Sequence, residues 1–304
     1  GIAVGMATNM PTHNLGEVIQ AIFAVMDDPD ITVPELMEYL KGPDFPTGGI
    51  ILGRKGIRKA YETGRGTIYI RSKYRVNELS NGKKQVIFYE IPYGVNKANL
   101  ISKMASLINE KEIQGVTYLN DESNREGIRI VMELKKDVQE DVILNQLFRL
   151  TPLQSSYGIN MLALENGRPR QLPIKQIIND YIDFQVEVIE RKTRFDLKKA
   201  EDRAHILEGF RIALDQLDAV IHTIRSSHKD EAGLNAELCE KFGFDEIQAK
   251  AILAMQLRRL SGLERDKIEN EYQDLLTKIA DYKDILANHS RVLQIIRDDL
   301  KEIA

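Results

Sequence analysis

The sequence predicts an α+β fold with more than one domain. Helix-like runs alternate with strand-like runs between residues 31 and 167, whereas after Pro173 nearly every apolar residue recurs at a spacing of three or four. The length agrees with this, because 304 residues exceed what one ordinary core accommodates. We therefore expect a mixed α/β part followed by a helical part.

Three helices are predicted in the first part. Residues 14–26 place their apolar side chains on one face, and the acidic run 27–30 ends this helix. Residues 33–40 follow Thr32, a fair N-cap, and carry Pro34 in the first turn. Residues 99–109 form an amphipathic helix.

Three strands are predicted around the third helix. Residues 67–71 and 85–91 alternate in polarity, and we expect them to be joined through Asn81-Gly82. The second of them ends at Pro92, which cannot donate to a ladder. Residues 128–134 form the third strand.

The helical part begins after Pro173. A stripe of apolar residues predicts the face that the first helix buries: Ile174, Ile177, Tyr181, Phe184 and Val188. Residues 203–224 are apolar on more than one side and therefore need partners on more than one side. Gly233, Gly243 and Gly262 then separate short helices.

The last helix has heptad spacing. Its apolar positions, with one polar exception, are Ile268, Tyr272, Leu275, Ile279, Tyr282, Leu286, His289, Leu293, Ile296, Leu300 and Ile303. We expect an antiparallel coiled coil with the earlier long helix; a helix in a bundle would share the pattern.

Composition and motifs indicate no self-contained active site. The single cysteine, Cys239, lies among apolar residues and indicates packing, and the five histidines lack metal-ligand spacing. No P-loop or nucleophile elbow is present. No apolar run reaches the length of a membrane span.

Residues 54–75 form the densest basic segment. Eight cations and one acid, Glu62, occur there in a chain of net charge −4. The cations are Arg54, Lys55, Arg58, Lys59, Arg65, Arg71, Lys73 and Arg75. Gly53, Gly56, Gly64 and Gly66 surround them, which would let the backbone approach a partner closely. A nucleic-acid phosphate backbone is the expected partner, and a solvated surface is the alternative.

Ile2 lies in an apolar, glycine-spaced run. An apolar side chain can unstack and kink DNA when it inserts between base pairs. From the residues alone, core packing is the simpler interpretation.

Several motifs, taken in order, resemble the A subunits of bacterial type IIA DNA topoisomerases, the family of gyrase and topoisomerase IV. They occupy residues 1–15, 42–49, 56–66, 90–97, 166–169, 202–209 and 257–264. Residues 151–154 and 204–213 favour the gyrase branch over topoisomerase IV. Met10 and Thr12 stand where the family usually has Ile and Pro.

The resemblance implies a domain order. Residues 1–26 would be the tail of a winged-helix DNA-gate domain, and residues 27–167 an α/β tower. Residues 168–203 would be the outgoing helix of a long antiparallel coiled coil, residues 204–262 a small all-helical exit-gate dimerisation domain, and residues 263–304 the returning helix.

The resemblance also implies roles for particular residues. Ile2 would wedge into bent gate DNA, which reverses the packing interpretation. The tower would support the flanking DNA through Arg54, Lys55, Arg58, Lys59, Arg65, Arg71 and Lys73. The exit-gate dimer would use Leu207, Phe210, Leu214, Leu217 and Ile221.

The implied reaction is ATP-dependent double-strand passage through a phosphotyrosine. The family's nucleophilic tyrosine lies upstream of Gly1, so we expect the chain alone to be inactive and to bind no cofactor. Mg²⁺ and ATP would come through the partner gyrase B subunit in an A2B2 assembly, in the bacterial cytoplasm at the nucleoid. The rival from another class is a non-enzymatic architectural DNA-binding coiled-coil dimer.

Overall fold

A computed structural model describes residues 5–255 and 262–304. The chain divides into two compact units, the first ending at Ile182 and the second running from Asp183 to Ile303. Among the described residues, no helix combines the length and apolar character that a membrane crossing requires.

The first unit mixes short helices with antiparallel strands. Its helices are α1 (Leu15–Asp27), α2 (Val33–Tyr39), α3 (Lys55–Thr63), α4 (Lys97–Asn109) and α5 (Glu140–Leu150). Its strands are β1 (Ile50–Ile51), β2 (Arg65–Arg71), β3 (Lys73–Glu78), β4 (Lys84–Glu90), β5 (Val116–Asp121), β6 (Ile130–Leu134), β7 (Gln154–Asn160), β8 (Leu162–Glu165) and β9 (Arg168–Gln171). Local caps explain two of the helix starts. The Asn14 side chain accepts from the Glu17 N–H, and Thr32 forms a capping box with Glu35.

The strands form three sheets in the orders β1-β2-β7, β3-β4-β6-β5 and β8-β9. Helices α4 and α5 supply apolar side chains to the core of the four-stranded sheet, which includes Phe88, Met104, Leu134 and Leu147.

The expected hairpin between residues 67–71 and 85–91 is wrong. β2 pairs with β7, more than 80 residues later, and the turn at Asn81-Gly82 joins β4 to β3. β3 is an edge strand with mostly exposed residues on both faces, so it has no alternating pattern to reveal it.

The second unit is helical. The described helices are the later part of α6 (Ile174–Asp215), then α7 (Leu217–Ser226), α8 (Glu231–Phe242), α9 (Glu246–Leu253), α10 (Gly262–Ala287) and α11 (His289–Ile303). Ion pairs between described residues link α6 to α10: Glu201–Lys283 at 2.8 Å, Arg203–Glu271 at 2.7 Å, Arg211–Glu269 at 2.6 Å, and Asp215–Arg265. Residue numbers fall on α10 as they rise on α6, so the two helices run antiparallel.

Two details of the predicted helical seam are wrong. The last helix is interrupted at Asn288, and beside the break Ile285 and Val292 are buried in place of Leu286 and Leu293. The polar heptad position, His289, is the first residue of α11 and is exposed.

The buried face at the start of α6 also differs from the predicted one. Ile178 and Ile182 are buried, whereas Phe184 and Val188 are exposed. Apolar residues lie on both faces of this part of α6, so their spacing alone does not show which face packs against the rest of the protein.

Candidate nucleic-acid interface

Helix α3 presents cations to solvent because it is amphipathic. Ile57, Ala60 and Tyr61 are buried on its inner face. Lys55 and Lys59 lie on the exposed side with Arg58, whose Nε atom is 2.7 Å from the Glu62 carboxylate one turn later. That exposed pair contributes little stability, so Arg58 can exchange its carboxylate partner for a phosphate at small cost.

Two glycines determine how α3 lies on β2. A Cβ added at Gly56 would lie 2.2 Å from the Thr67 carbonyl oxygen, and one at Gly66 would lie 2.7 Å from the Gly56 carbonyl oxygen. Helix and strand are therefore in backbone contact. The sequence interpretation that these two glycines serve a binding partner is wrong, because they serve internal packing.

Strand β2 adds further polar groups to this surface. Its residues alternate between buried and exposed, so Ile68 and Ile70 face the core while Arg65, Thr67 and Tyr69 face solvent. We name α3 and the exposed face of β2, together with Arg54, the cationic surface.

Besides Arg58, which pairs with Glu62, the predicted DNA-contacting cations fall into two groups. Arg54, Lys55, Lys59 and Arg65 are exposed, and within the described part of the chain their side chains have no hydrogen-bond or ion-pair partner. These four are free to meet an external anion.

Arg71 and Lys73 have partners inside the unit. The Arg71 guanidinium donates twice to the Gln154 Oε1 atom, at 2.9 and 2.7 Å, and lies 4.4 Å from the centre of the Phe148 ring. The Lys73 ammonium is 3.0 Å from the Glu90 carboxylate, which also accepts from the Gly49 N–H at 2.6 Å. Their predicted contact with DNA remains a prediction, and it would compete with these internal bonds.

A shallow cavity of about 590 Å³ opens where α2 meets the start of α3. Its lining combines apolar side chains with one carboxylate and four cations: Pro34, Met37, Glu38, Lys41, Arg54, Lys55 and Arg58. Sequence reasoning missed Lys41, because it lies outside the basic segment and only folding brings it there.

The opening segment, residues 5–13, is tied to β7. The Asn9 N–H donates to the Asn160 carbonyl at 2.8 Å, and the Asn160 N–H donates to the Asn9 carbonyl at 3.0 Å. The Asn160 side-chain amide donates to the Ala7 carbonyl at 2.7 Å, and the Tyr157 hydroxyl donates to the Asn9 Oδ1 atom at 2.9 Å. No sequence signal indicated Asn160 or Tyr157, since their partners lie about 150 positions away.

A second anchor joins the same segment to α3. The His13 Nε2 atom lies 2.7 Å from the hydroxyl of Tyr61, which is fully buried. Burial lowers the pKa of His13, although the nearby carboxylates of Glu17 and Asp44 act in the opposite direction. Burial likewise raises the pKa of Tyr61. The contact therefore joins two uncharged groups at neutral pH.

The remaining predicted residues lie elsewhere. Ile2 is outside the described residues. Three of the predicted dimer residues, Leu207, Phe210 and Leu214, are buried in the core of the second unit. Leu217 and Ile221 are half-buried and line an apolar cavity of about 220 Å³.

Across the described ranges, no three histidine, cysteine, aspartate or glutamate side chains are grouped so that they could hold a metal ion.

Comparison with known proteins gives one family. The family model for the A subunit of DNA gyrase/topoisomerase IV matches residues 1–301. The chain is 57% identical over 303 residues to the DNA gyrase A subunit of Halalkalibacterium halodurans, and 56% over 304 residues to that of Clostridium acetobutylicum. It is 54% identical over 303 residues to that of Streptococcus pneumoniae.

Each alignment covers 100% of this chain but only 36% or 37% of the relative. The chain thus spans little more than a third of the length of these proteins. Identity above half along the whole chain, together with the family match, shows that it belongs to the family of DNA gyrase/topoisomerase IV A subunits.

Proposed function

We propose that this chain is the DNA-supporting and gate-forming part of a DNA gyrase A subunit. The relatives named above support gyrase over topoisomerase IV, since each is named a gyrase subunit. The architectural alternative draws no comparable support. The whole protein would introduce supercoils by ATP-dependent passage of one duplex through a transient break in another.

The family to which the chain belongs supports a division of roles within the whole enzyme. A tyrosine outside this sequence would break the DNA, and a gyrase B partner would supply ATP and Mg²⁺ chemistry in an A2B2 assembly. This chain would hold the DNA beside the break, bend it through Ile2, and dimerise through its helical unit. It would act in the bacterial cytoplasm, at the nucleoid.

The observation that carries the proposal is the cationic surface. Its four unpartnered side chains project from one helix, the residue before it and the strand packed on it. Cations that already have internal partners must break those contacts to bind phosphate, whereas unpartnered ones release DNA counterions without that cost. We therefore assign the DNA backbone to Arg54, Lys55, Lys59 and Arg65, with Arg58 as a fifth contact.

Salt dependence of duplex binding tests this assignment. Replacing Arg58, Lys59 and Arg65 together with alanine should make the negative slope of log affinity against log salt shallower, by about 0.9 for each phosphate that is no longer neutralised. Fluorescence anisotropy with a labelled duplex over a series of salt concentrations measures the slope.

A matched control removes the same charge elsewhere in the first unit. Lys103, Lys135 and Lys136 are exposed, and their side chains have no partner among the described residues. Their triple alanine variant should keep the wild-type slope. Equal slopes for the two triple variants would place the DNA on another surface.

A further inference from the structure

Asn160 uses every hydrogen-bonding group that it has. Its N–H and carbonyl pair with Asn9, and the carbonyl also accepts from the Thr8 hydroxyl at 3.1 Å. Its side-chain amide donates to Ala7, and its Oδ1 atom accepts from the Gln171 amide at 2.9 Å. One residue of β7 thus holds three consecutive residues of the opening segment.

These bonds determine position rather than satisfy buried groups. Ala7, Thr8 and Asn9 are exposed, so water could satisfy their polar groups, and the flanking Met6 and Met10 are 48% and 41% exposed. No buried apolar side chain therefore fixes residues 6–10. Their location depends on Asn160, and on Tyr157 and Gly158, which bind the two ends of the Asn9 side-chain amide.

The same residue lies beside the cationic surface. Asn160 is the direct antiparallel partner of Arg65 in the ladder between β2 and β7, so the two side chains lie on the same face of the sheet. The residue that holds the opening segment is therefore the neighbour of a proposed phosphate contact. Ile2 lies five positions before Ala7 in the sequence, so even a fully extended chain would separate the two residues by no more than about 17 Å.

We propose that Asn160, assisted by Tyr157, is a positioning residue for DNA bending. It fixes residues 7–9 beside the phosphate contact at Arg65, and so fixes the point from which the chain leads to Ile2. This inference rests on the proposed function, because it takes Ile2 as the wedge and Arg65 as a backbone contact.

The test uses the full-length protein that carries this sequence, assembled with its B partner. Asn160→Ala removes the side-chain bonds to Ala7 and Gln171 and leaves the main-chain bridge to Asn9 in place; Tyr157→Phe removes only the hydroxyl bond to Asn9. Hydrogen exchange should show the Asn9 amide exchanging roughly fivefold to tenfold faster in Asn160→Ala, as expected for loss of one hydrogen bond. DNA bending is measured by energy transfer between dyes at the two ends of a duplex. With Asn160→Ala bound, the duplex should show only a small part of the bending that the wild-type protein produces.

Combination with Ile2→Ala separates positioning from a general structural role. If Asn160 acts through the wedge, the double variant Asn160→Ala/Ile2→Ala should bend DNA no less than Ile2→Ala alone. The salt slope of binding should stay at the wild-type value, since the cations are unchanged. Asn120→Ala, at an exposed position on β5, is the control and should bend DNA normally.

Each contrary result has one meaning. Normal bending by Ile2→Ala would overturn the wedge assignment and this inference with it. Normal bending by both Asn160→Ala and Tyr157→Phe, with bending lost in Ile2→Ala, would overturn only the inference. Unchanged exchange at Asn9, or additive losses in the double variant, would likewise remove the positioning role.

Discussion

At the scale of single residues, the contact between His13 and Tyr61 makes the opening segment sensitive to pH. The pKa of His13 is lowered in the folded chain, so the unfolded chain binds a proton more readily. The contribution to stability is complete above the unfolded pKa of about 6.5 and is lost as the pH falls towards the lower folded value.

We therefore expect the free energy of unfolding to decrease below about pH 6.5, by no more than about 1.4 kcal/mol per pH unit from this group. Urea unfolding at several pH values, compared with His13→Gln, measures the effect. The variant should lose this part of the pH dependence. His228→Gln, which changes an exposed histidine, should retain it; identical profiles for wild type and His13→Gln would refute the assignment.

Single residues also show where sequence reasoning reached its limit. The excess of cations in residues 54–75 could be read directly, because charge density is a local property. The sequence alone could not predict which of these cations lack an internal partner. Arg71 is bound by Gln154, 83 positions away, and Lys73 is bound by Glu90 on the neighbouring strand. The anchor at Asn160 was hidden for the same reason.

At the scale of elements, local sequence signals predict the helices well but do not predict which strands pair. Helices α1, α2 and α4 followed from caps and apolar spacing, which operate within a few residues. The pairing of β2 with β7 was missed because β7 is a largely polar strand. The docking of α3 on β2 was missed too, since glycines with a packing role look the same in sequence as glycines at a binding site.

That docking gives a prediction about stability. Gly56→Ala would place a methyl group against the Thr67 carbonyl, and relieving the clash must separate α3 from β2. We expect a loss of about 1–3 kcal/mol in the free energy of unfolding, the usual cost of overpacking. Chemical denaturation followed by circular dichroism measures it.

Gly158→Ala is the matched control for this change. Gly158 lies on β7, within the same sheet, and an added Cβ there meets no atom within 4 Å. Its stability should stay within about 0.5 kcal/mol of wild type. If Gly56→Ala were equally harmless, the close contact between helix and strand would be wrong.

At the scale of the whole molecule, the order of motifs identified the family, while folding decided which apolar residues remain available. Residues 207–221 were predicted as one interface stripe. Leu207, Phe210 and Leu214 are buried in the core of their own unit, because side chains of α8, α9 and α10 pack against them. Periodicity alone cannot separate a buried stripe from an interface stripe, because both repeat with the helix.

The exposed remainder of that stripe yields the last prediction. Leu217 and Ile221 line the apolar cavity in the second unit and are the members of the predicted set that a second copy could reach. Burial of such side chains against another chain would stabilise a dimer. We expect the wild-type chain to sediment as a dimer and Ile221→Glu to sediment as a monomer, because an unpaired carboxylate would be buried at the contact.

A substitution of the core residue Leu207 is the control for Ile221→Glu, because it should destabilise the fold without acting at the dimer contact. Leu207→Ala should lower the free energy of unfolding by about 2–5 kcal/mol, as expected for a cavity in a packed core, whereas Ile221→Glu should change it by much less. Sedimentation velocity and urea unfolding of both variants separate loss of the dimer from loss of the fold. A wild-type chain that is monomeric at micromolar concentration, or an Ile221→Glu variant that remains dimeric, would place the interface on other residues.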